Sequence, residues 1–297
     1  MTLAFGAEIV TRFAPSPTGF LHLGHAHSAL LGHRTARAAP KESKTGRFLL
    51  RIEDIDRTRC KPEFEAAIFD DLHWLGLDWE EPVRRQSDHF PEYAAALQRL
   101  ESEGLLYPCF CSRKDIAAAA SAPHEGETVI YPGTCRGLDP ILAAQRKASG
   151  APFALRLDTA KAARRAGPLA FFDAELDGAN ARETRAEPER FGDVVLGRRD
   201  TPASYHPSYH LAASLDDHLQ GVTLVIRGED LRAATHIQRL LQAVLGLATP
   251  QYRHHLLLTN QSGVRLSKRD GAMALRALRD RGISASVVRG MAGFQDA

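Results

Sequence analysis

Cysteine is scarce in this sequence, and no long apolar stretch or large excess of one charge sets it apart. Four cysteines among 297 residues, without a basic and apolar signal at the start, argue against a disulfide framework. No apolar run reaches the length of a membrane span, about 18 residues. We therefore expect a cytoplasmic protein with no membrane partner.

Charge is nearly balanced, since 38 basic and 36 acidic residues give a formal net charge of +2. A global basic field is absent, so any contact with RNA has to come from local patches. Seven arginines in the middle of the chain are candidates for an RNA backbone contact, although a solvated basic face is equally consistent with them. They are Arg164, Arg165, Arg182, Arg185, Arg190, Arg198 and Arg199.

Alternating strand and helix patterns fill the first 104 residues. Short β-prone runs occupy 9–13 and 48–52, and helical spacing follows at 25–38, after Pro62 and at 92–103. This alternation is typical of a parallel α/β sheet that binds its ligand at the carboxyl edge of the strands.

The alternation breaks near residue 105 and returns in 209–212 and 222–227. We predict an α/β Rossmann-type sheet split by an insertion and followed by a short helical segment. The predicted parts are a first catalytic half at 1–104, the insertion at 105–199, a second catalytic half at 200–250 and a C-terminal segment at 251–297.

A short motif at the first strand-to-helix turn carries His22, Gly24 and His25. A helix N-terminus offers unpaired N–H groups to phosphates, and two imidazoles can donate hydrogen bonds to an α-phosphate as its charge develops. With 13 histidines in the chain, such a pair also arises by chance. The preceding segment 15–19, with two prolines and a glycine, favours the functional interpretation.

A second motif, Arg265-Leu266-Ser267-Lys268-Arg269, lies late in the sequence. A lysine here can neutralise departing pyrophosphate without any proton transfer. The alternative is a solvated basic loop.

Three cysteines form a Cys-x-Cys pair and a later partner, Cys109, Cys111 and Cys135. Thiolates bind zinc tightly, and a closed four-ligand site can stabilise a small insertion. Spacing alone does not separate this prediction from three buried free thiols. The fourth ligand has to be another residue, with Tyr131 and His124 the candidates.

Together, the two motifs and the segment 12–19 resemble the glutamate-specific branch of the class I aminoacyl-tRNA synthetases, although Arg265 stands where that family has lysine. The resemblance implies that the chain activates an amino acid with ATP and magnesium. It assigns catalytic roles to His22, His25 and Lys268. It assigns ATP binding to His22, Gly24, His25, Ser267 and Lys268.

The same resemblance implies a glutamate pocket in which Glu53 holds the substrate ammonium and two arginines bind its carboxylates. Singly, each residue is as consistent with a surface salt bridge. A magnesium site at 53–56 is a weaker alternative, and we interpret Asp216 and Asp217 as supporting structure. The implied pocket residues are Arg12, Phe13, Ala14, Pro15, Ser16, Glu53, Tyr209 and Arg227.

Over essentially its whole length the chain resembles the short glutamyl-Q tRNA(Asp) synthetases, including a Cys-x-Cys…Tyr-x₃-Cys arrangement. The resemblance implies one structural zinc held by Cys109, Cys111, Tyr131 and Cys135. It also implies transfer of L-glutamate to queuosine in the anticodon stem-loop of tRNA(Asp). Since 270–297 is too short for a domain of about 50 residues, we expect no anticodon-binding domain, and we expect a monomer.

Two other functions compete with this interpretation. One is a truncated glutamyl-tRNA synthetase that charges tRNA(Glu), and the other is a non-catalytic RNA-binding relic of a synthetase. The cysteine arrangement disfavours the first, and the intact His22, His25 and Lys268 disfavour the second.

Overall fold

The computed structural model describes residues 8–38, 46–112, 114–116, 130–174, 181–201, 204–258 and 273–294. Its strands are β1 (Val10–Phe13), β2 (Arg47–Ile52), β3 (Glu80–Arg85), β4 (Leu106–Cys109), β5 (Phe153–Leu157), β6 (Ala170–Ala174), β7 (Ala181–Arg185), β8 (Val195–Thr201), β9 (Ser204–Pro207), β10 (Leu224–Gly228) and β11 (Gln251–His255). Its helices are α1 (Leu23–Arg37), α2 (Pro62–Trp74), α3 (Phe90–Ser102), α4 (Pro140–Ala148), α5 (Thr159–Ala166), α6 (Tyr209–Leu219), α7 (Arg232–Leu245), α8 (Leu275–Asp280) and α9 (Ala285–Met291). None of these helices combines the length and the apolar character needed to cross a membrane.

Parallel strands form the centre of the fold. Strands β1, β2 and β3 pair in parallel, and so do β10, β11 and β6. Thr223 joins the two groups, because its amide donates to the Val10 carbonyl (3.0 Å) and its Oγ1 accepts from the Val10 amide (2.9 Å). In the resulting order β3-β2-β1-β10-β11, later strands are added toward β3 on one side of β1 and toward β11 on the other side of β10. Open α/β sheets bind ligands at the point where the order changes in this way.

Most elements predicted for the first 104 residues are present within a residue or two of their expected bounds. Pro62 begins α2, where its missing N–H costs no helical hydrogen bond. Strand β3 was missed because its sequence EEPVRR has little β-propensity. Segment 209–212, grouped with the returning βα pattern, begins helix α6.

The middle of the chain divides its strands between two sheets. Strands β4, β5, β8 and β9 form an antiparallel sheet. The β6–β7 hairpin instead extends the parallel sheet, since Asp173 and Ala174 pair with Tyr252 and Arg253 of β11. The four-part division of the chain stays a prediction, but β6 pairs residues of the predicted insertion with β11, a strand that falls in the predicted C-terminal segment.

Helices α8 and α9 pack against β2 and α2. Leu275, Leu278 and Val288 belong to one buried cluster with side chains of β2 and α2. The Leu275 amide donates to the Leu21 carbonyl (2.8 Å), and Ala274 forms an antiparallel bridge with His22. The chain that follows the Ser267-Lys268 motif therefore returns to the His22 turn.

Helix α2 carries a buried carboxylate toward helix α8. Asp71 is fully buried, and its oxygens have no hydrogen-bond partner in the part of the chain that the structure describes. The Arg279 guanidinium lies 3.6 Å away. Burial raises the pKa of Asp71 to about 6, although Arg279 opposes the shift.

We predict that Asp71→Asn raises the melting temperature at pH 8 and that this advantage shrinks as the pH falls toward about 4. The native pKa of Asp71 lies above its unfolded value of about 3.9, so the wild type gains stability on protonation through this window, whereas asparagine does not. Calorimetry across this pH range measures the difference. Glu63→Gln, at an exposed position of the same helix, is the control, and a pH-independent difference for Asp71→Asn would contradict the prediction.

Candidate active site

A cleft of about 400 Å³ opens between the carboxyl ends of β1 and β10. All eight residues predicted to bind glutamate line it, together with three of those predicted to bind ATP, His22, Gly24 and His25. Its size suits a small-molecule site. Ser267 and Lys268 lie outside the described residues.

The His22 turn is a reciprocal cap at the start of α1. The Gly24 amide donates to His22 Nδ1 (3.1 Å), and the His22 amide donates to His25 Nδ1 (3.2 Å). Because each Nδ1 accepts a backbone hydrogen bond, each neutral ring carries its hydrogen on Nε2. The two ring centroids are 3.8 Å apart, so two N–H donors stand together at the positive end of a helix.

Gly24 is required by the same cap. A β-carbon at this position would lie 3.1 Å from His22 Cε1 and 3.2 Å from His22 Nδ1. A side chain here would therefore require the His22 ring to shift by a few tenths of an ångström.

Buried charges link the floor of the cleft to the helix behind it. Asp217 accepts hydrogen bonds from Arg12 Nε (3.0 Å) and from Arg51 Nη1 (2.8 Å). Burial opposes ionisation, but the two arginines hold the pKa of Asp217 below its ordinary value. Neighbouring Asp216 accepts from Arg84, Gln86 and Tyr93, in keeping with the predicted supporting role.

Arg51 has a central place that the sequence analysis missed. Its side chain is fully buried, and its Nη2 lies 3.2 Å from Glu53 Oε1. Burial alone would lower the pKa of Arg51, but the carboxylates of Asp217, Glu53 and Asp216 raise it. An arginine in a strand otherwise rich in apolar residues was the available signal.

Glu53 presents a buried carboxylate at the wall of the cleft. Burial raises its pKa despite the opposing charges of Arg51 and Arg12, so a bound ammonium group would relieve an unfavourable negative charge. The neighbouring carboxylates bind other groups of the protein. Asp54 accepts a hydrogen bond from the Ser87 amide (2.8 Å), and Asp56 accepts one from Arg59 (2.6 Å). This arrangement does not support the magnesium alternative.

Arg227 lies across the cleft from Glu53, at the end of β10, and is 5% exposed. Its guanidinium donates to Tyr209 Oη at 3.2 Å, Gln238 Oε1 at 2.8 Å, Thr235 Oγ1 at 2.7 Å and His254 Nε2 at 3.2 Å. These partners come from helices α6 and α7 and from strand β11. Thr235 and Gln238 lie one turn apart on α7, whereas His254 lies on β11, and no sequence motif indicated any of the three.

The three cysteines converge beside the antiparallel sheet. The sulfur atoms of Cys109, Cys111 and Cys135 all lie within 4.8 Å of one another. Tyr131 Oη is 3.4 Å from Cys109 Sγ and accepts a hydrogen bond from the Cys135 amide (2.7 Å). Burial opposes thiolate formation, but hydrogen bonds with Tyr131 and Arg156 hold the pKa of Cys109 below its ordinary value. His124 lies outside the described residues.

Comparison with known proteins agrees with this geometry. The model of the class I tRNA synthetases (E and Q), catalytic domain, matches residues 8–290. The chain therefore belongs to the class I tRNA synthetases for glutamate and glutamine, within which it falls among the glutamyl-Q tRNA(Asp) synthetases.

Two relatives support the narrower assignment. A glutamyl-Q tRNA(Asp) synthetase of Rhodobacter capsulatus is 49% identical, over 96% of this chain and 100% of the relative. One from Nocardia farcinica is 43% identical, over 89% of this chain and 77% of the relative. The solved glutamate tRNA ligase of Elizabethkingia meningosepticum, in complex with its amino acid, is 27% identical with a TM-score of 0.70; the match covers 89% of this chain and 52% of the ligase. The chain thus spans about half the length of that solved ligase.

We predict that Asp217→Asn lowers the free energy of unfolding by about 3–5 kcal/mol, the cost of removing one partner from a buried ion pair. Arg12 and Arg51 would both lose their shared carboxylate. Urea unfolding measures the change. Asp78→Asn, which alters an exposed ion pair with Arg37, should cost less than about 1 kcal/mol, and equal losses in the two variants would refute the argument.

Proposed function

We propose that the chain activates L-glutamate with ATP and transfers the glutamyl group to queuosine in tRNA(Asp), working as a cytoplasmic monomer. In the first step a glutamate carboxylate oxygen attacks the α-phosphorus and pyrophosphate leaves. In the second, a hydroxyl of the queuosine cyclopentene-diol attacks the acyl carbon, an ester forms, AMP leaves and the hydroxyl proton is released. The observation that carries the proposal is 49% identity to a glutamyl-Q tRNA(Asp) synthetase over that protein's whole length.

The cleft offers the charges that glutamate requires. The two carboxylates of the substrate would bind beside Arg12 and Arg227, and its ammonium group would bind Glu53. Tyr209 would close the side of the pocket formed by α6. The remaining residues assigned to glutamate, Phe13, Ala14, Pro15 and Ser16, follow β1 along the same wall. Two cations and one anion are complementary to a substrate with two carboxylates and one ammonium group.

For ATP, the proposed donors are the Nε2 hydrogens of His22 and His25 and the N-terminus of α1. Their role is to stabilise the charge that develops on the α-phosphate. Lys268 and Ser267 would bind the departing pyrophosphate with magnesium. Support for placing them at this cleft comes from Ala274, which bridges to His22 just after the motif.

The anticodon stem-loop is the proposed RNA contact, and the middle of the chain offers basic groups to it. Arg165 and Arg190 are already in ion pairs with Glu103 and Glu187. Arg182 and Arg185 on β7 are exposed and stand on the strand that borders the extended catalytic sheet. These two are better placed for phosphate contacts than the paired arginines.

The acceptor is tested by transfer of labelled glutamate. We expect an isolated tRNA(Asp) anticodon stem-loop with queuosine to be glutamylated, and the same stem-loop with guanine not to be, because only queuosine presents the two adjacent hydroxyls. Full-length tRNA(Glu) is the third substrate. Comparable charging of its 3′ end would favour the alternative of a truncated glutamyl-tRNA synthetase, and no adenylate formation at all would favour the non-catalytic relic.

We also propose one structural zinc ion per chain, bound by Cys109, Cys111, Cys135 and Tyr131. The convergence of three sulfur atoms supports it, and the Tyr131 oxygen beside them completes four ligands. Such an ion would connect β4 to the segment around Tyr131 and Cys135, and no open coordination position is implied. Zinc therefore takes no part in the proposed chemistry.

We predict about one zinc per purified chain and a loss of most of it from Tyr131→Phe during dialysis against a mild chelator, because a ligand is removed. Elemental analysis measures the content. Tyr107→Phe is the matched control, since Tyr107 donates to Asp193 in the same part of the fold. A wild type without zinc refutes the site, and full retention in Tyr131→Phe assigns the fourth position to another ligand such as His124.

A further inference from the structure

Three residues form a buried chain across neighbouring strands beside the cleft. Asp173 lies on β6, His254 on β11 and Arg227 on β10, and their exposures are 4%, 0% and 5%. His254 Nδ1 is 3.0 Å from Asp173 Oδ1, and Arg227 Nε donates to His254 Nε2 (3.2 Å). These hydrogen bonds thus connect the β6–β7 hairpin with the cleft.

The hydrogen bonds fix the tautomer of His254. The Asp173 carboxylate only accepts, so Nδ1 carries the hydrogen, and Nε2 is left as an acceptor for Arg227. Burial lowers the pKa of His254 against the opposing effect of Asp173. The imidazole is therefore a neutral link between an anion and a cation.

The direct partners of Arg227 are all neutral. Tyr209, Gln238, Thr235 and His254 accept its hydrogen bonds, and no ion pair within the described ranges includes it. Arg12 differs, since it bonds Asp217 directly. A buried cation without a directly bonded anion is unfavourable until an anion binds.

His210, which also belongs to α6, reflects this charge. Burial, together with the nearby positive charge of Arg227, lowers the pKa of His210 to about 4. Asp173 has its own cation, because Arg232 donates to it. His254 thus separates Arg227 from the Asp173 carboxylate, whose negative charge is shared with Arg232.

From this geometry we infer that Asp173 and His254 are positioning residues that orient Arg227 while leaving its charge available to a substrate carboxylate. The inference rests on the proposed function and deepens it, because it makes Arg227 the cation whose charge is available to the substrate, whereas Arg12 already pairs with Asp217. A carboxylate in direct contact with Arg227 would orient it equally well but would cancel its charge.

The test compares two nearly isosteric replacements, His254→Gln and His254→Glu, in glutamate-dependent ATP–pyrophosphate exchange. Both new side chains can accept a hydrogen bond from Arg227, but only the His254→Glu side chain places a negative charge beside it. We expect His254→Glu to raise the KM for glutamate roughly tenfold to hundredfold above that of His254→Gln, the scale of one charge-assisted hydrogen bond. The KM for ATP should stay within about twofold in both variants.

Asp173→Asn tests the other end of this series of hydrogen bonds, and it replaces His254→Glu as the test if that variant does not fold. The asparagine amide can donate to His254 Nδ1 and so favour the tautomer with its hydrogen on Nε2. That hydrogen would then face the Arg227 donor, and we expect the KM for glutamate to rise about tenfold. His236→Gln is the control, since His236 packs against Phe171 of the same hairpin and accepts from the Glu187 amide. It should leave both KM values unchanged.

A double-mutant cycle separates positioning from a merely structural role. In an Arg227→Ala background, His254→Glu and Asp173→Asn should have little further effect on the KM for glutamate, because they act through Arg227. Equal KM values for the Gln and Glu variants, or full additivity with Arg227→Ala, would overturn the inference. A wild type without glutamate-dependent exchange would overturn the proposed function and this inference together, whereas an active wild type with unaffected variants overturns the inference alone.

Discussion

Two buried arginines from different strands share the carboxylate of Asp217. Arg12 comes from β1, Arg51 from β2 and Asp217 from α6 in the second half of the catalytic fold. A buried guanidinium is costly unless an anion pairs with it, and Asp217 supplies that anion to both arginines. These two ion pairs therefore join the halves of the fold at the floor of the cleft, where Thr223 joins the strands themselves.

The orientation of the other charged groups at the cleft depends on this arrangement. Arg51 bonds Asp217 and Glu53 together, so it holds the Glu53 carboxylate at the wall. The Glu53 amide also donates to the Pro15 carbonyl (3.0 Å), which fixes the segment after β1. Arg12 is then a largely compensated cation, whereas Arg227 is not. Under the proposed function this asymmetry places the strongest attraction for a carboxylate on the side of β10.

Local signals explain what the sequence predicted well. The His22 turn needs its histidines and Gly24 within four consecutive positions, and strands β1 and β2 and helices α1 to α3 have clear patterns of their own. Resemblance, rather than pattern, placed Glu53, Tyr209 and Arg227 in the site. The strand alternation predicts only that a ligand binds at the carboxyl edge of the sheet. It does not predict that these three side chains line the same cleft.

Long-range pairing explains what was missed. Arg12 and Asp217 are separated by 205 positions, and His254 and Asp173 by 81, so neither partner marks the other in the sequence. Strand β3 has charged residues and a proline at an edge position, where a regular apolar pattern is not required. The β6–β7 hairpin lies in a segment that the sequence predicted to be an insertion, and its pairing with β11 joins it to the parallel sheet.

The two sides of segment 259–272 show why a motif so far along the chain can serve the His22 turn. Before it, His255 Nε2 lies 2.7 Å from Ser28 Oγ on α1, and Leu257 lines the cleft. After it, Ala274 bridges to His22. Both flanks are therefore held at the N-terminal end of α1 by contacts with α1 and its cap. The separation of the two motifs in sequence is thus compatible with one shared site, because the fold brings the flanks of the second motif back to the first.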